Sequence, residues 1–297
     1  MNRFVVCLLE DCLEDQYLLK SKLSNSQKHL FRVQCFTTIA SLANSINLLE
    51  PDVLVADLNL PDSQGLDTLI KIKGIAKNIP IVVLTGSDED IAIKVIQLGA
   101  QDYLRKDELS TELITRTLLF SRERHLLQAA LEEQAIRDKL TQLYNREAFD
   151  EQFANKYENY VRYQQKFALI FIDLDNFKPI NDEYGHTVGD RILQLVAARL
   201  RMFNRVTDTI ARIGGDEFVI LAPNIDNHDD LTLFINAKKQ KLCGVYALES
   251  AKGTLLELKV SMSFGGAVMG IDGEDKKTLF DKADSKMYIA KRDEKSS

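Results

Sequence analysis

The stretch Ala211–Leu221, ARIGGDEFVIL, sets two glycines and two adjacent carboxylates inside an apolar run that otherwise reads as strand. Gly214 and Gly215 predict a tight hairpin turn of positive φ with room for a ligand beside the backbone. Asp216 and Glu217 are then displayed at the mouth of that turn. Taken alone, a pair of glycines between strands is an ordinary β-turn with acidic flanks. Upstream, LIFIDLDNF (Leu169–Phe177) reads as a strand whose alternation puts Asp173 and Asp175 on one side of the chain. Carboxylates near a sheet cost desolvation energy unless water, a metal or a cation compensates. If the two strands are neighbours, Asp173 and Glu217 can share divalent cations that also grip a triphosphate, as in two-metal phosphoryl transfer.

Outward from that pair, the segment RDKLTQLYNREAF (Arg137–Phe149), a helix over Val188–Phe203, a strand VSMSFGGAV (Val260–Val268) and a last helix over Leu279–Lys291 predict an α+β unit with a mixed or antiparallel sheet. Before it, no Gly or Pro occurs from Ala100 to Lys178, and Glu108–Arg137 is rich in Leu, Glu, Arg, Gln and Ala. That composition predicts a stiff connecting helix of roughly 40 Å, at about 1.5 Å per residue. Leu113, Phe120, Leu127 and Leu131 line one apolar seam, interrupted by Arg124, and Leu119 and Leu126 line a second one position away. Seven-residue spacing favours a two-stranded coiled coil of weakly determined register; a single helix packed on its own domain is the alternative.

The first 107 residues alternate short apolar runs, FVVCLL, FRVQCF, DVLVADL, IPIVVLTG and DYLRK, with helical segments such as Asp15–Leu23 and Glu89–Leu98. The pattern predicts an α/β unit whose parallel sheet is covered on both faces and carries its functional groups at the carboxyl ends of the strands. Glu10 and Asp11 follow the first run, Asp57 ends the third, Thr85 ends the fourth and Lys106 follows the fifth. Three carboxylates at one edge repel each other unless a hard divalent cation such as Mg2+ sits between them. Lys106 and the Thr85 hydroxyl can then hold a phosphoryl group on Asp57. Singly, each acid reads as a solvated loop residue or a helix cap.

At 297 residues, with 45% hydrophobic and 28% charged, the composition is that of a globular protein with room for two cores. A net charge of -6 and a pI near 5.4 argue against broad nucleic-acid binding, which needs a basic surface. Cys7, Cys12, Cys35 and Cys243 show no CxxC pair and no His partner at zinc spacing, as expected of reduced thiols. The N-terminal apolar run meets acidic residues at once, and no stretch reaches the ~20 apolar residues that span a bilayer. The expectation is a cytoplasmic protein with neither nucleic acid nor membrane as partner.

With those residues in place, the first 107 residues resemble a response-regulator receiver domain. The resemblance implies a doubly wound (βα)5 fold in which Asp57 accepts a phosphoryl group from a sensor histidine kinase or phosphotransfer protein. Glu10, Asp11 and the Asn59 carbonyl would hold one Mg2+, Thr85 and Lys106 would contact the phosphoryl group, and Tyr103 would stand at the aromatic switch position, its alternative being a core tyrosine. A Glu-Asp pair where Asp-Asp is commoner is the one departure.

DLDNFKPINDEYGHTVGD, RIGGDEF, DKLTQLYNR and ADSKMYIAK together resemble the GGDEF family of diguanylate cyclases over about residues 135 to 295. The division implied is a receiver over 1–107, a helical linker over 108–137 and a palm-like, nucleotide-cyclase-like domain over 138–297. The family joins two GTP into cyclic di-GMP and two pyrophosphates across a homodimer. The resemblance assigns Asp173, the Leu174 carbonyl and Glu217 to Mg2+, two ions per GTP with Mn2+ as substitute, and Asp216 to the 3'-hydroxyl proton. Asn181 and Asp190 would read guanine, Gly214 and Gly215 would make room for the nucleotide, and Phe177, Lys178 and Lys291 would hold phosphates. Lys295 stands where the family commonly has an arginine, keeping the charge but losing the planar fork. Arg205 and Asp208 fall where the family's product-inhibition site carries RxxD. A nucleotide receptor without catalysis, a cyclase of another product and a transcription factor are the rival readings.

Overall fold

A computed structural model describes residues 3–26, 28–86, 89–249 and 255–295, which divide into the units Met1–Glu132 and Glu133–Ser297. The first unit contains β1 (Phe4–Leu9), α1 (Leu13–Ser24), β2 (Phe31–Phe36), α2 (Ile39–Ala43), α3 (Ile46–Leu49), β3 (Val53–Asp57), α4 (Leu66–Ile75), β4 (Ile81–Thr85), α5 (Glu89–Gln97), β5 (Asp102–Arg105) and most of α6 (Thr111–Ala135). Its strands pair in parallel in the order β2-β1-β3-β4-β5. Every residue of β3 and β4 is buried, which is why VLVAD and IVVLT read as continuous apolar runs. Val6, Leu8, Val55, Val82 and Leu84 pack on Leu19 and Leu23 of α1 and on Ile114 and Leu118 of α6. The opposite face, with Cys7, Leu9, Leu54, Ala56 and Val83, packs on apolar residues of α2 to α5. The strand order reverses at β1 and β3, so a crevice opens where their carboxyl ends diverge.

The long helix runs over Thr111–Ala135 rather than 108–137, and its first turns pack on the unit's own sheet. Ile114 and Leu118, outside both predicted seams, are fully buried, each contributing about 1.5–3 kcal/mol. Arg124, which breaks a seam, pairs with Asp102 at 2.6 Å, and Arg122 pairs with Asp52 at 2.8 Å. Phe120, Leu126, Leu127 and Leu131 remain exposed.

The second unit contains α7 (Arg146–Tyr163), β6 (Phe167–Leu174), α8 (Phe177–Tyr184), α9 (His186–Phe203), β7 (Thr209–Arg212), β8 (Glu217–Pro223), α10 (His228–Leu242), β9 (Gly244–Glu249), β10 (Leu255–Val260), β11 (Met262–Val268) and α11 (Lys276–Lys295). Its main sheet is antiparallel throughout, in the order β11-β6-β8-β7, and β9 and β10 form a separate antiparallel pair that the sequence pattern did not announce. Ala168, Ile170, Ile172 and Leu174 face α9 and α10, whereas Phe167, Leu169 and Phe171 face α7 and α11. Period-two alternation continues the second face to Asp173 of β6, Glu217 of β8 and Ser263 of β11. Above them, α11 lies so close to β11 that a Cβ at Gly265 would stand 2.1 Å from the Met287 nitrogen and 2.2 Å from the Ala283 oxygen.

Candidate functional site

At the carboxyl edge of the first sheet, β1 delivers Glu10, β3 delivers Asp57 and the turn after β5 delivers Lys106. Lys106 Nζ donates to Glu10 Oε2 at 2.7 Å, Asp57 Oδ2 at 2.5 Å and Asp15 Oδ2 at 2.7 Å. Asp15, one turn into α1, is a member the sequence reading missed; its place after Glu10 on the following helix was the available signal. Burial opposes the charge on Lys106, but the bonds to Asp15, Asp57 and Glu10 outweigh it and raise its pKa. Burial pushes the Glu10 carboxyl up, against its bonds from Lys106 and the Cys12 N–H, with the Asp57 charge adding to the rise. The Asn59 N–H donates to Asp57 Oδ1 at 3.0 Å, so the loop that would offer the Asn59 carbonyl is tied to the acid beside it. Thr85 is 5% exposed and its Oγ1 has no partner, an unmet donor at the end of β4. Asp11 is exposed, and Tyr103, at 38% exposure, is not a core residue. A buried acid pair crossed by one ammonium, beside an unpartnered hydroxyl, fits an anionic group on Asp57 and a hard cation to balance it.

In the second unit the register puts Asp173 directly opposite Glu217. The two strands are neighbours, and both carboxylates lie on the α11 side. Burial pushes the Asp173 carboxyl up; its bond from Lys291 opposes the rise, and the charges of Asp216 and Asp175 reinforce it. Glu217 is raised by burial, then by Asp173, Asp216 and Asp284, with Lys291 offsetting part. Lys291 Nζ donates to Asp173 Oδ1 at 2.5 Å. Asp284 also belongs to this cluster: it precedes Lys291 by seven residues, two turns along one face of α11, a spacing that could have been read.

Neither Gly214 nor Gly215 has positive φ, contrary to the turn predicted for them. At Gly214 the need for glycine is steric, because a Cβ there would stand 2.3 Å from Glu217 Oε2, whereas at Gly215 an added Cβ would meet nothing within 4 Å. The loop is instead held by Arg212, whose Nε and Nη2 donate to the Gly215 carbonyl at 3.1 and 2.8 Å while Nη1 donates to Asp138 Oδ1 at 3.0 Å. Asp138 also accepts from the Thr141 N–H and hydroxyl, and despite burial its carboxyl lies below the usual range. The Asp216 carbonyl accepts from the Leu174 N–H at 3.3 Å, linking the loop to the end of β6.

Phe177 and Lys178 open α8, Phe177 half-buried and Lys178 exposed. Asn181 of α8 lies against Gly189, where a Cβ would meet its Oδ1 at 1.9 Å, and the exposed Asp190 follows at once on α9. The side chain of Lys295 lies outside the described residues. On the far turn after α9, the Arg205 N–H donates to Asp208 Oδ2 and the Asp208 N–H to the Arg205 carbonyl, both at 3.0 Å. Arg205 is exposed, and Asp208 Oδ1 is buried without a partner. Beside them a cleft of roughly 700 Å³ is lined by Phe203, Arg205, Lys238 and Lys241.

Among the described residues no three His, Cys, Asp or Glu side chains stand as a ready metal cage. The acids of the second site nonetheless suit a hard cation: the buried Asp173 and half-buried Glu217 are both raised by burial and then by neighbouring carboxylate charge, and with one ammonium beside them they gain from added positive charge.

The comparisons agree with this geometry. Residues 135–297 match the diguanylate cyclase GGDEF domain and residues 6–118 the response regulator receiver domain. The chain belongs to the GGDEF diguanylate cyclase family and carries a receiver domain. It is 36% identical over 211 residues to the bifunctional diguanylate cyclase/cyclic di-GMP phosphodiesterase MucR of Pseudomonas aeruginosa, covering 71% of this chain and 28% of that protein. It is 34% identical over 170 residues to the diguanylate cyclase TpbB of Pseudomonas aeruginosa, covering 57% of this chain and 38% of that one. The chain thus spans well under half the length of either relative. Among solved structures, the coiled coil and GGDEF domain of DgcB from Caulobacter crescentus, in complex with c-di-GMP, aligns at 25% identity and a TM-score of 0.52, over 61% of this chain and 93% of that one.

Proposed function

We propose that this protein is a phosphorylation-controlled diguanylate cyclase. The observation that carries the reading is the direct register of Asp173 and Glu217 beside Asp216, at the rim of an antiparallel sheet. Each GTP would lie with its guanine at Asn181 and Asp190, its phosphates at the N-terminus of α8 and at Lys291, and its sugar near the Gly214–Gly215 loop. Asp173, the Leu174 carbonyl and Glu217 are the groups that would hold divalent cations. Bound there, such ions neutralise the triphosphate and polarise the α-phosphate.

The chain's own groups divide the remaining work. Asp216 takes the proton of the 3'-hydroxyl, whose oxygen forms a bond to the α-phosphorus of the facing GTP as the bond to pyrophosphate breaks. Two such transfers close the ring and release two pyrophosphates, so one copy supplies half a reaction and a homodimer completes it. Lys291 binds Asp173 before substrate and is the cation positioned to move onto phosphate.

Control would run from Asp57, phosphorylated by a histidine kinase or phosphotransfer protein, through α6, whose exposed Phe120, Leu126, Leu127 and Leu131 offer apolar contacts to a second copy. The product would return to Arg205 and Asp208, where the exposed guanidinium can grip phosphate or a guanine edge and a carboxylate can accept from guanine's amino group.

Incubation with GTP and Mg2+, followed by chromatography, tests the core reading. Cyclic di-GMP and pyrophosphate in a 1:2 ratio are expected, with turnover raised by an acyl-phosphate analogue at Asp57. Absence of turnover, or a different cyclic product, would refute it. Ala at both Arg205 and Asp208 should leave turnover insensitive to added cyclic di-GMP.

A further inference from the structure

Asp175 lies just past the end of β6, two residues beyond Asp173, and is 8% exposed. Its N–H donates to the Ser261 carbonyl at 3.0 Å, which fixes the chain there. Its Oδ1 accepts from the Ser263 hydroxyl at 2.7 Å, and Ser263, fully buried, is the register partner of Asp173 across β6 and β11. Its Oδ2 is buried and has no hydrogen-bond partner. Leaving a buried acceptor unpaired costs roughly 1–3 kcal/mol, more for a charged group.

A carboxylate kept for architecture looks different in this same unit. Asp272 accepts from the Val268 N–H at Oδ2 and from Lys286 at Oδ1, so both of its oxygens are met. Asp175 is held by one oxygen, so the other cannot turn to solvent without breaking the Ser263 bond. Its placement beside the Asp173–Ser263 pair puts it at the cation-binding face, and both Asp173 and Lys291 feel its charge. A small hard cation keeps several of its waters and so brings donors to acceptors beyond its direct ligands.

We infer that Asp175, held by the Ser263 hydroxyl, is a positioning acid of the divalent-cation site at Asp173 and Glu217, its free Oδ2 accepting from water carried by the cation. This rests on the cyclase reading and adds a residue pair to it. Groups that orient a cation's ligands in this way change its affinity by about 10–100-fold when removed.

The test is calorimetric binding of a non-hydrolysable GTP analogue to the full chain at stepped Mn2+ concentrations, which yields the Mn2+ level for half-maximal binding. An ion in the receiver domain does not touch the nucleotide, so this value reports the cyclase site. Asp175→Asn should raise the half-saturating Mn2+ about tenfold or more, and Ser263→Ala about threefold, with thermal melting near that of the unsubstituted protein. A folded Asp175→Asn whose half-saturation is unshifted would overturn the inference while leaving the cyclase reading intact. If Asp175→Asn does not fold, Ser263→Ala decides, and an unshifted value there overturns it equally. Failure of the unsubstituted protein to bind the analogue in a Mn2+-dependent way would overturn the cyclase reading and this inference with it.

Discussion

At the edge of the first sheet one ammonium, Lys106, reaches Glu10, Asp15 and Asp57, whereas in the second unit Lys291 bonds Asp173 while Asp216 and Glu217 crowd the same rim. Both sites gather acids at a sheet edge, but only the first has its charges bridged by a shared cation. Removing the lysine there exposes repulsion that is now compensated. Removing an acid from the second relieves repulsion that is not. The same chemistry at two edges therefore gives opposite signs for stability, and the second site carries the trade-off expected of one that waits for positively charged ligands.

The largest effect should come from Glu217→Gln, which breaks the facing acid pair. Cyclic di-GMP formation should fall roughly a thousandfold, read as product per time under saturating GTP. Thermal melting without nucleotide should rise by about 2–4 °C, the equivalent of ~1 kcal/mol. The sign follows from the raised carboxyl: with its folded pKa above the unfolded value, Glu217 favours folding most at low pH, and that advantage is lost as pH rises through the folded pKa. The gain from Glu217→Gln should accordingly shrink on acidification. A lower melting temperature at neutral pH would break the comparison.

Gly214→Ala sharpens it without changing charge. The added methyl meets Glu217 Oε2, a movable side-chain end, so the fold should survive while kcat drops about a hundredfold. Next in size, Lys106→Met should destabilise the first unit by about 2 kcal/mol, between the values of surface and buried pairs, measured by urea unfolding. An unchanged midpoint would remove the contrast between the two edges.

The smallest expected effect is at Asp138. Its folded pKa is depressed, so its contribution is present above the unfolded value and is lost as pH falls through the depressed one. Asp138→Asn should cost about 1 kcal/mol at neutral pH and flatten the acid side of the stability curve, followed by thermal melts across pH.

Much of this was legible in the sequence for identifiable reasons. Continuous apolar strands such as VLVAD gave the parallel sheet, and alternation in LIFIDL placed Asp173 on the face it shares with Glu217. Register gave the rest its meaning, because Ser263 becomes informative only once β11 pairs with β6. Ile114 and Leu118 were passed over because the heptad seams beside them were more regular than the stripe that packs. Gly214 was read for positive φ and ligand room when its constraint is its own neighbour, a difference invisible until Glu217 folds back over it, and at Gly215 an added Cβ would meet nothing within 4 Å. Asp15 and Asp284 stand on helices, where a charged residue ordinarily signals solvent.

Gly265 has a mechanical consequence. Because the backbone of α11 rests almost directly on β11 at this residue, the helix is a lever and Gly265 its fulcrum. Met287 sits over the fulcrum and Lys291 lies one turn farther along the arm, at the site. A single methyl at 265 would act as a wedge, tilting the arm and displacing Lys291 from Asp173 without touching either. The alignment of this acidic rim is thus set by a residue with no side chain, far ahead of Lys291 in sequence.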